Sequence, residues 1–355
     1  MLQGAMTRRS VQAGLGLTAI LISACGANAT SSSSASSGQS VVVTWSAGDW
    51  GNCQQKSFYD TFTTSTGIGV LHGPQLTDGQ IRAEVQAHVY NVDLVYPSEA
   101  LALSGSDALA PIDYSKIAKT QLYPGTYTQY AVGMDVYAWA MGYRTDKFGG
   151  AVPTSWADFF NIQKFPGKRA LNDTDVPALM YIALMADGVS PAQLTTIDVQ
   201  RAINKLNSIK SDIVWYETGT AGQQLLASGE VSMAEIYANR IIASKAAGNP
   251  VDISWNGQVA VVDFISIPKG DPNAANTMKL IEWATSKNIN GTAATCGAGL
   301  GPTNSASAVD PSVAADLPSS HFNLPHVVES DPAVAAYAVA HNDALQTAFN
   351  NWKTS

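Results

Sequence analysis

Short apolar runs alternate with segments of helical periodicity from residue 41 onward. β-Branched and aromatic residues dominate the runs, which is typical of strands buried in a sheet. The strands predicted in this way cover residues 41–45, 92–96, 136–143, 213–216, 232–236 and 259–267. Strands that alternate with helices are the signature of an α/β fold. We therefore predict an α/β globular body that begins at about residue 41.

The helical segments between these strands have one apolar face and recognisable N-caps. A helix from about Gln54 places Phe58 and Phe62 on the same face. Ser155 opens a Ser-Trp-Ala-Asp segment with the form of a capping box, which predicts a short helix. Asp198 is predicted to cap a further helix. The apolar stripe of that helix is expected to be core and contains Val199, Ala202, Ile203 and Leu206.

The first 24 residues combine positive charge with an apolar run. Arg8 and Arg9 precede the apolar residues 11–24, and no acidic residue occurs in this part. The run is short for a transmembrane helix and has the form of a secretory signal peptide. The arginine pair fits both an ordinary charged n-region and a twin-arginine export signal, and the sequence leaves these two routes open.

Small residues precede the first cysteine. Ile22, Ser23 and Ala24 lead to Cys25, and this arrangement resembles the lipobox of bacterial lipoproteins. The resemblance implies cleavage before Cys25 and acylation of its thiol and new amino group. Residues 25–40 include a serine-rich tract that cannot bury enough surface to offset its chain entropy. We expect a flexible tether that holds the globular body at a membrane face without spanning the membrane.

The globular part is acidic. Removal of residues 1–24, which carry two arginines and no acid, changes the formal net charge from −8 to −10. This balance argues against nucleic acid, for which a basic face is expected, and against adhesion to anionic lipids. About 315 residues follow the tether, which is enough for two lobes with sizeable cores.

Two cysteines remain in the globular part, Cys53 and Cys296. Outside the cytoplasm, two cysteines in one domain commonly pair, so we predict a disulfide between them. The alternative is a pair of buried thiols that lie too far apart to bond.

No motif points to catalysis, a cofactor or a metal. The five histidines are scattered, and no HExxH, CxxC, P-loop, GxGxxG or GxSxG motif occurs. A surface hydrolase acting on wall or glycan material could recruit Asp173 and Asp175, but these would point in opposite directions in an extended segment. We therefore predict that the protein is not an enzyme and uses no cofactor, with the hydrolase as the alternative.

Five segments resemble one protein family in order and spacing. They are residues 143–148 (YRTDKF), 153–160 (PTSWADFF), 164–169 (KFPGKR), 224–231 (QLLASGEV) and 263–270 (DFISIPKG). Together they resemble the extracellular solute-binding proteins of spermidine/putrescine-type ABC importers, over about residues 41–305. The resemblance implies a two-lobed periplasmic-binding-protein fold of type II, with two crossing strands between the lobes and an interlobe ligand cleft.

The resemblance also implies how the chain divides between the lobes. The first lobe is expected to comprise residues 41–136 and 264–305, and the second residues 137–263 and 306–355, whose last part forms closing helices. The crossings are expected near residues 135–137 and 262–263. Lobe closure excludes water, so a few aimed charges and rings can discriminate between solutes. A membrane permease would then recognise the closed form.

The resemblance transfers candidate ligand contacts to this chain. It places a ligand-stacking tryptophan at Trp45, with Asp49 and Trp50 close behind, and polar contacts at Ser98 and Glu99. The other candidates are the hinge residue Tyr137, the acid Asp175 in the segment after the Phe-Pro-Gly-Lys-Arg motif, the rim residue Glu217, the strand-end group Tyr237, Asn239 and Arg240, and the amine-binding acid Asp263. Trp45 could instead belong to the core, and Arg240 could form a salt bridge within its own lobe.

Departures from the polyamine pattern change the expected ligand. A long polyamine needs a carboxylate at each end and aromatic walls along its methylenes. Here Ala178 replaces one acid and Val261 replaces a tryptophan. An arginine that faces an acid across a cleft suits a zwitterion, with the carboxylate on Arg240 and the ammonium group on Asp263. We therefore expect a putrescine-size diamine or a γ-aminobutyrate-like amino acid rather than spermidine.

A ferric-iron receptor of the same fold is a further alternative. Such receptors use adjacent tyrosines as ligands, and no Tyr-Tyr pair occurs in this sequence. The expected partners are a small amine-containing ligand, an ABC permease and, through the lipid anchor, the outer face of a membrane. We expect an extracytoplasmic monomer.

Overall fold

The computed structural model describes residues 39–296 and 299–355. The predicted signal peptide, Cys25 and most of the tether lie outside the described residues. The strands are β1 (Ser40–Thr44), β2 (Gly69–Gly73), β3 (Val132–Arg144), β4 (Arg169–Asn172), β5 (Ile213–Tyr216), β6 (Met233–Tyr237), β7 (Val251–Ile265) and β8 (His326–Val328).

The helices lie between these strands and after β8. They are α1 (Asp49–Gln54), α2 (Asp60–Thr66), α3 (Asp78–Ala87), α4 (Glu99–Ser104), α5 (Trp156–Phe159), α6 (Val176–Ala186), α7 (Val199–Asn207), α8 (Gly219–Ser228), α9 (Ala238–Ala246), α10 (Ala274–Thr285), α11 (Pro311–Ala314) and α12 (Pro332–Thr354). A π-helical turn at Gln55–Tyr59 joins α1 to α2 without a break.

Two sheets organise the described chain. β1 and β2 form a parallel pair, and the larger sheet has the strand order β5-β4-β6-β3-β7-β8. In the larger sheet β3 runs antiparallel to both β6 and β7. The register of the long β3–β7 pair places Asp135 directly opposite Asp263. Two acids therefore meet where the longest strands cross.

The buried side chains form two main cores. Phe58 and Phe62 belong to the first core, and Phe159 and Phe349 belong to the second. β3 supplies both cores, since its first part contributes to the first and Trp139 to the second. Two cores joined by the long strands β3 and β7 confirm the predicted two-lobed α/β fold. The residue boundaries of the lobes stay a prediction.

Several local predictions are confirmed. The Ser155 hydroxyl accepts a hydrogen bond from the Asp158 backbone N–H (3.3 Å) at the start of α5. The Asp198 carboxylate caps α7 in the same way, through the Arg201 N–H (3.0 Å). These caps satisfy backbone donors that a helix leaves unpaired at its first turn.

Four element boundaries differ clearly from the prediction, the first being the start of β3, which lies at Val132 rather than Val136. The first helix begins at Asp49 rather than near Gln54. The predicted strand at residues 92–96 forms only isolated bridges, at Leu94 and Val95. β7 begins at Val251, well before the predicted start, because polar residues interrupt the apolar run that marks its buried half. Pairing with β3 extends this strand beyond what its local pattern indicates.

A disulfide joins Cys53 to Cys296, with the two Cα atoms 5.5 Å apart. It ties the end region of α1 to the chain just before Gly299 and Leu300. This is the pairing expected from the two globular cysteines. The helix that carries Asp49 and Trp50 is therefore covalently held to a distant part of the chain.

Candidate ligand-binding cleft

A cavity of about 690 Å³ lies between the two cores, beside the crossing of β3 and β7. Trp50 and Tyr96 in its lining pack against the first core, and Tyr237 packs against the second. Its volume is in the range of small-molecule sites. Seven of the residues predicted from the sequence line it: Asp49, Trp50, Tyr137, Tyr237, Asn239, Arg240 and Asp263.

A second cavity, of about 1000 Å³, lies outside this cleft, near Tyr123, Phe322 and His326. The charged residue Asp331 in its lining is the N-cap of α12, where its carboxylate accepts the Ala333 N–H. This cavity lacks the converging charges of the smaller one. We therefore take the 690 Å³ cleft as the candidate site.

The first feature of the cleft is an acid pair, Asp135 and Asp263. Burial raises the pKa of Asp135 well above its ordinary value, and repulsion from Asp263 adds to this effect. Burial also raises the pKa of Asp263, while its interaction with Asp135 and the hydrogen bond from Trp50 oppose that rise. The Trp50 indole N–H donates to the Asp263 carboxylate at 3.1 Å. These shifts favour a proton on Asp135 and a negative charge on Asp263, whose carboxylate the Trp50 N–H stabilises.

Aromatic rings surround this charge. Trp50 and Tyr96 meet edge to face, with ring centroids 5.3 Å apart. Tyr137 meets Tyr237 in the same manner at 5.4 Å. Trp139 stacks on Tyr237, with ring centroids 3.7 Å apart. Aromatic faces beside a carboxylate favour an organic cation with an apolar stem.

Arg240 supplies the positive charge of the cleft. It lies in the first turn of α9, whose N-cap residue Tyr237 makes no side-chain capping bond. The Arg240 Nε atom is buried and has no hydrogen-bond partner in the described part of the chain. No described carboxylate forms an ion pair with this guanidinium. An arginine at a helix N-terminus that opens into a cavity can bind a carboxylate in a bidentate manner.

Glu99 and Asp175 lie close together outside the immediate cavity lining. The Asp175 carboxylate is the N-cap of α6 and accepts the Trp139 indole N–H at 2.9 Å. Burial and repulsion from Asp175 raise the pKa of Glu99 to about 8. Both residues therefore belong to a second acidic region, which is linked to the aromatic rings of the cleft through Trp139.

Three further predicted contacts, besides Glu99 and Asp175, do not line the cleft. Trp45 packs beside the first core and stacks on His72, with ring centroids 3.7 Å apart. Ser98 is exposed, caps α4 and donates from its hydroxyl to Asp78. Glu217 is exposed next to the cap of α8. Trp45 is partly buried, and its contact with the ligand stays a prediction.

Sequence reasoning missed Tyr96, Gln75 and Asp135. Tyr96 ends the predicted strand just before Pro97, which is a common position for a site residue. Asp135 could have been found by the signal that identified Asp263, since both acids interrupt an apolar strand. Gln75 lies in a loop without any distinctive pattern.

The acids considered for a hydrolase do not form a pair. Asp173 forms an ion pair with Lys353, whereas Asp175 caps α6 and binds Trp139. The two carboxylates therefore have separate structural partners. Within residues 39–296 and 299–355, no group of three or more metal-binding side chains has the geometry to hold an ion.

Comparison with known proteins agrees with this geometry. The family model described as bacterial extracellular solute-binding protein matches residues 57–318. The chain is 32% identical over 258 residues to the gamma-aminobutyric acid-binding protein of Pseudomonas aeruginosa, which covers 70% of this chain and 72% of the relative.

Solved structures share the fold over nearly the whole globular part. A GABA receptor superposes with a TM-score of 0.78 and 32% identity, covering 89% of this chain and 98% of the receptor. An ABC transporter substrate-binding protein from Bradyrhizobium japonicum USDA 110 gives a TM-score of 0.73 and 27% identity, covering 89% and 99%.

Two lobes around a charged, aromatic-lined cleft define a receptor for a small solute. The chain belongs to the bacterial extracellular solute-binding protein family, and it is a solute-binding protein of an ABC transporter. Proteins of this family bind small ligands and deliver them to ABC permeases, which implies an extracytoplasmic location. None of the helices in the described ranges is both long enough and apolar enough to cross a membrane.

Proposed function

We propose that this protein captures a zwitterionic amino acid of the γ-aminobutyrate (GABA) type and delivers it to a permease after lobe closure. The observation that carries this proposal is Arg240. Its guanidinium lines the same cavity as Asp263 and has no carboxylate partner among the described residues. An arginine without a carboxylate partner and a buried acid pair at one cavity match a ligand that carries one carboxylate and one ammonium group.

The carboxylate of the ligand is assigned to Arg240 and the N-terminus of α9. Backbone N–H groups in the first turn of a helix are unpaired and favour an anion. A planar guanidinium adds two parallel hydrogen bonds to a carboxylate. These groups lie together because Arg240 is the third residue of α9.

The ammonium group of the ligand is assigned to Asp263. This carboxylate is fixed by the Trp50 N–H at 3.1 Å, and Tyr96 and Tyr137 line the cavity around it. Aromatic rings contribute cation–π attraction and exclude water from the methylenes. The 32% identical binding protein and the superposed receptor, both named for GABA, support this ligand class.

A diamine of putrescine size is the second candidate, as the spermidine/putrescine resemblance implies. The observation in its favour is the second acidic region at Glu99 and Asp175, for which no cationic partner occurs among the described residues. Spermidine is disfavoured because the chain replaces one acid by Ala178 and a tryptophan by Val261.

The other expectations form part of the same proposal. Cys25 is acylated and anchors the chain to the membrane, the protein acts as a monomer, and it does not chemically change its ligand. The lobes divide as expected from the sequence, at residues 136/137, 263/264 and 305/306. Asn239 and Asp49, which line the cavity, contact the ligand at its polar ends.

Isothermal titration of the purified protein with GABA tests this function. We expect wild-type binding in the micromolar range or tighter and at least a thirtyfold loss of affinity in Arg240→Met, because the ligand carboxylate loses its charge partner. Arg201→Met, at an exposed arginine outside the cleft, is the control and should bind like wild type. Absence of GABA binding, or an equal loss in both variants, would refute the assignment.

A further inference from the structure

A buried chain of hydrogen bonds runs behind the acid pair of the cleft. The Gln54 side-chain N–H donates to Asp135 at 3.4 Å, and the Gln54 carbonyl oxygen accepts the Tyr96 hydroxyl at 3.0 Å. The Tyr96 hydroxyl also lies 3.0 Å from the hydroxyl of Tyr59. Gln54 and Asp135 are each 1% exposed. Since Tyr96 lines the cavity, the chain links the cavity wall to the acid pair.

The partners of Gln54 fix which way its amide group points. An ionised carboxylate oxygen only accepts hydrogen bonds, so the NH2 end of the amide meets Asp135. The same nitrogen lies 3.9 Å from the Met134 sulfur. The opposite end is the carbonyl oxygen, to which Tyr96 donates, and this leaves Tyr59 as the donor to Tyr96. Every donor in the chain therefore points towards Asp135.

The first helix brings these groups together. Trp50 and Gln54 are four residues apart on α1, so they lie on the same face of the helix. Trp50 donates to Asp263 on β7, at 3.1 Å. Gln54 donates to Asp135 on β3. The π-helical turn after α1 returns Tyr59 to the same side, because its backbone hydrogen bonds span five residues instead of four. One helix therefore supplies a separate neutral donor to each acid of the pair.

The contact with Gln54 decides where Asp135 can hold a proton. Gln54 donates to Oδ2 of Asp135, whereas Oδ1 is buried and meets no hydrogen-bond donor from residues 39–296 or 299–355. Asp135 lies directly opposite Asp263 in the register of β3 and β7. A proton on Oδ1 can be shared with Asp263, which then keeps the negative charge that a ligand ammonium group needs. The amide hydrogen bond also stabilises an ionised carboxyl group, so it opposes uptake of a second proton by the pair.

We propose that Gln54 is a positioning residue of the ammonium site: it orients Asp135 and thereby keeps one negative charge on Asp263 for the ligand. The inference rests on the proposed function, because it assigns a role to a residue behind the same site. Gln54 does not line the cavity and acts on the ligand only through the acid pair. A glutamine that merely completed the hydrogen bonds of Tyr96 would leave the charge of the pair unchanged.

The pH dependence of GABA binding tests this role. Loss of the amide in Gln54→Met lets the pair take up its second proton at a higher pH, and a neutral pair holds an ammonium group poorly. Relative to wild type, we expect the Kd for GABA to rise about threefold at pH 8 and about tenfold or more at pH 5.5. Gln200→Met, at an exposed glutamine on α7, is the control and should follow wild type at both pH values. A Kd ratio of Gln54→Met to wild type that is the same at both pH values overturns the proposal.

The Asp135→Asn background separates positioning from damage to α1. The amide that this substitution introduces takes up no proton at either pH. Adding Gln54→Met to Asp135→Asn should therefore raise the Kd for GABA less than about twofold further. Distortion of α1, which also carries Trp50, would lower the affinity equally in both backgrounds and would contradict the proposal. Thermal unfolding of each variant verifies that it is folded.

Other titratable groups around the pair are shared by wild type and Gln54→Met, so they cancel in the Kd ratio. Burial raises the pKa of the Tyr59, Tyr96 and Tyr137 phenols, which stay protonated at both pH values. Asp49 on α1 and Arg240 on α9 line the cavity.

The indole N–H of Trp50 gives a readout that needs no ligand. It donates to Asp263, so its NMR resonance, identified by its loss in Trp50→Phe, should follow the protonation of Asp263. We expect the midpoint pH of this change to be higher in Gln54→Met than in wild type. Tyr59→Phe removes only a hydroxyl group at the far end of the chain and should shift the midpoint in the same direction by less. Equal midpoints in all three proteins overturn the proposal.

The two proposals can fail separately. GABA binding that depends on Arg240, together with equal Trp50 midpoints in wild type and Gln54→Met, would retain the proposed function and refute the role of Gln54. A midpoint that moves in Gln54→Met, in a protein that does not bind GABA, would do the reverse.

Discussion

The buried acids in and beside the cleft form two groups with different surroundings. The acid pair meets across β3 and β7 and receives hydrogen bonds from the neutral side chains of Trp50 and Gln54. In the second acidic region, Asp175 accepts from the Trp139 indole and the Ala178 N–H, whereas no described side chain donates to Glu99. Burial is similar, so the difference lies in how neighbouring donors stabilise one charge and leave the other group dependent on protons or a ligand.

Glu99, in the second acidic region, should contribute strongly to the pH dependence of stability. Glu99 has a pKa of about 8 in the folded protein, above that of an unfolded glutamate, so the folded state binds this proton more tightly. Stability is then highest below the unfolded pKa and is lost as pH rises through about 8, by on the order of 4 kcal/mol for one such group. Urea unfolding at pH 5, 7 and 9 should show a smaller loss in Glu99→Gln than in wild type.

The buried acid Glu235 limits how much of the pH dependence of stability the Glu99→Gln substitution can remove. Burial raises its pKa to about 8 as well, so part of the pH dependence should persist in Glu99→Gln. Glu230→Gln, at an exposed acid, should keep the wild-type profile. If the pH profile of stability in Glu99→Gln coincided with that of the wild type, burial would not raise the pKa of Glu99.

Substitution of the two acids of the pair should change the affinity for GABA to different extents at pH 7. Asp263→Asn removes the charge that holds the ammonium group, and we expect the Kd for GABA to rise about a hundredfold, or about 2.7 kcal/mol. Asp135→Asn replaces the acid whose pKa is raised well above its ordinary value and which does not line the cavity, so the change should stay below threefold. Isothermal titration measures both. Equal losses would show that the proton is shared differently from the arrangement described.

The smallest effect is expected at the indole that supports the pair. Trp50→Phe keeps an aromatic ring and removes the 3.1 Å hydrogen bond to Asp263, so the Kd for GABA should rise about fivefold, or about 1 kcal/mol. Trp139→Phe removes the corresponding hydrogen bond to Asp175 in the second acidic region and should change the Kd for GABA less than twofold. A larger rise in this Kd in Trp139→Phe than in Trp50→Phe would contradict the assignment of the ammonium group to Asp263.

Local patterns predicted the elements whose stabilisation is local. The caps at Ser155 and Asp198 depend on hydrogen bonds within a few residues, and the faces of Phe58 and Phe62 follow from helical periodicity. The first half of β7 was missed because its polar residues are held by pairing with β3, a contact between distant parts of the chain. The strand predicted at residues 92–96 was overestimated for the converse reason. Its apolar run forms only isolated bridges, at Leu94 and Val95, because an apolar run does not ensure a long partner strand.

The candidate site shows the same division. Asp263 was recognisable because an acid in an apolar strand needs a partner, and Arg240 because it departs from the polyamine pattern. Trp45 carried an equally clear motif, yet it stacks on His72 beside the first core. The sequence pattern identifies a residue as a candidate for the site, whereas the packing of other elements decides where its side chain lies.

The sequence by itself determined the α/β class, the paired cysteines, the family and half of the residues that line the cleft, because these properties reside in residue types and short spacings. Only the tertiary structure brought Asp135 opposite Asp263 and Glu99 close to Asp175. The physical reason is that a carboxyl group acquires its charge state from burial and from neighbours that lie far away along the chain. Which acids of this protein carry charge, and which wait for a proton or a ligand, is therefore a property of the folded lobes.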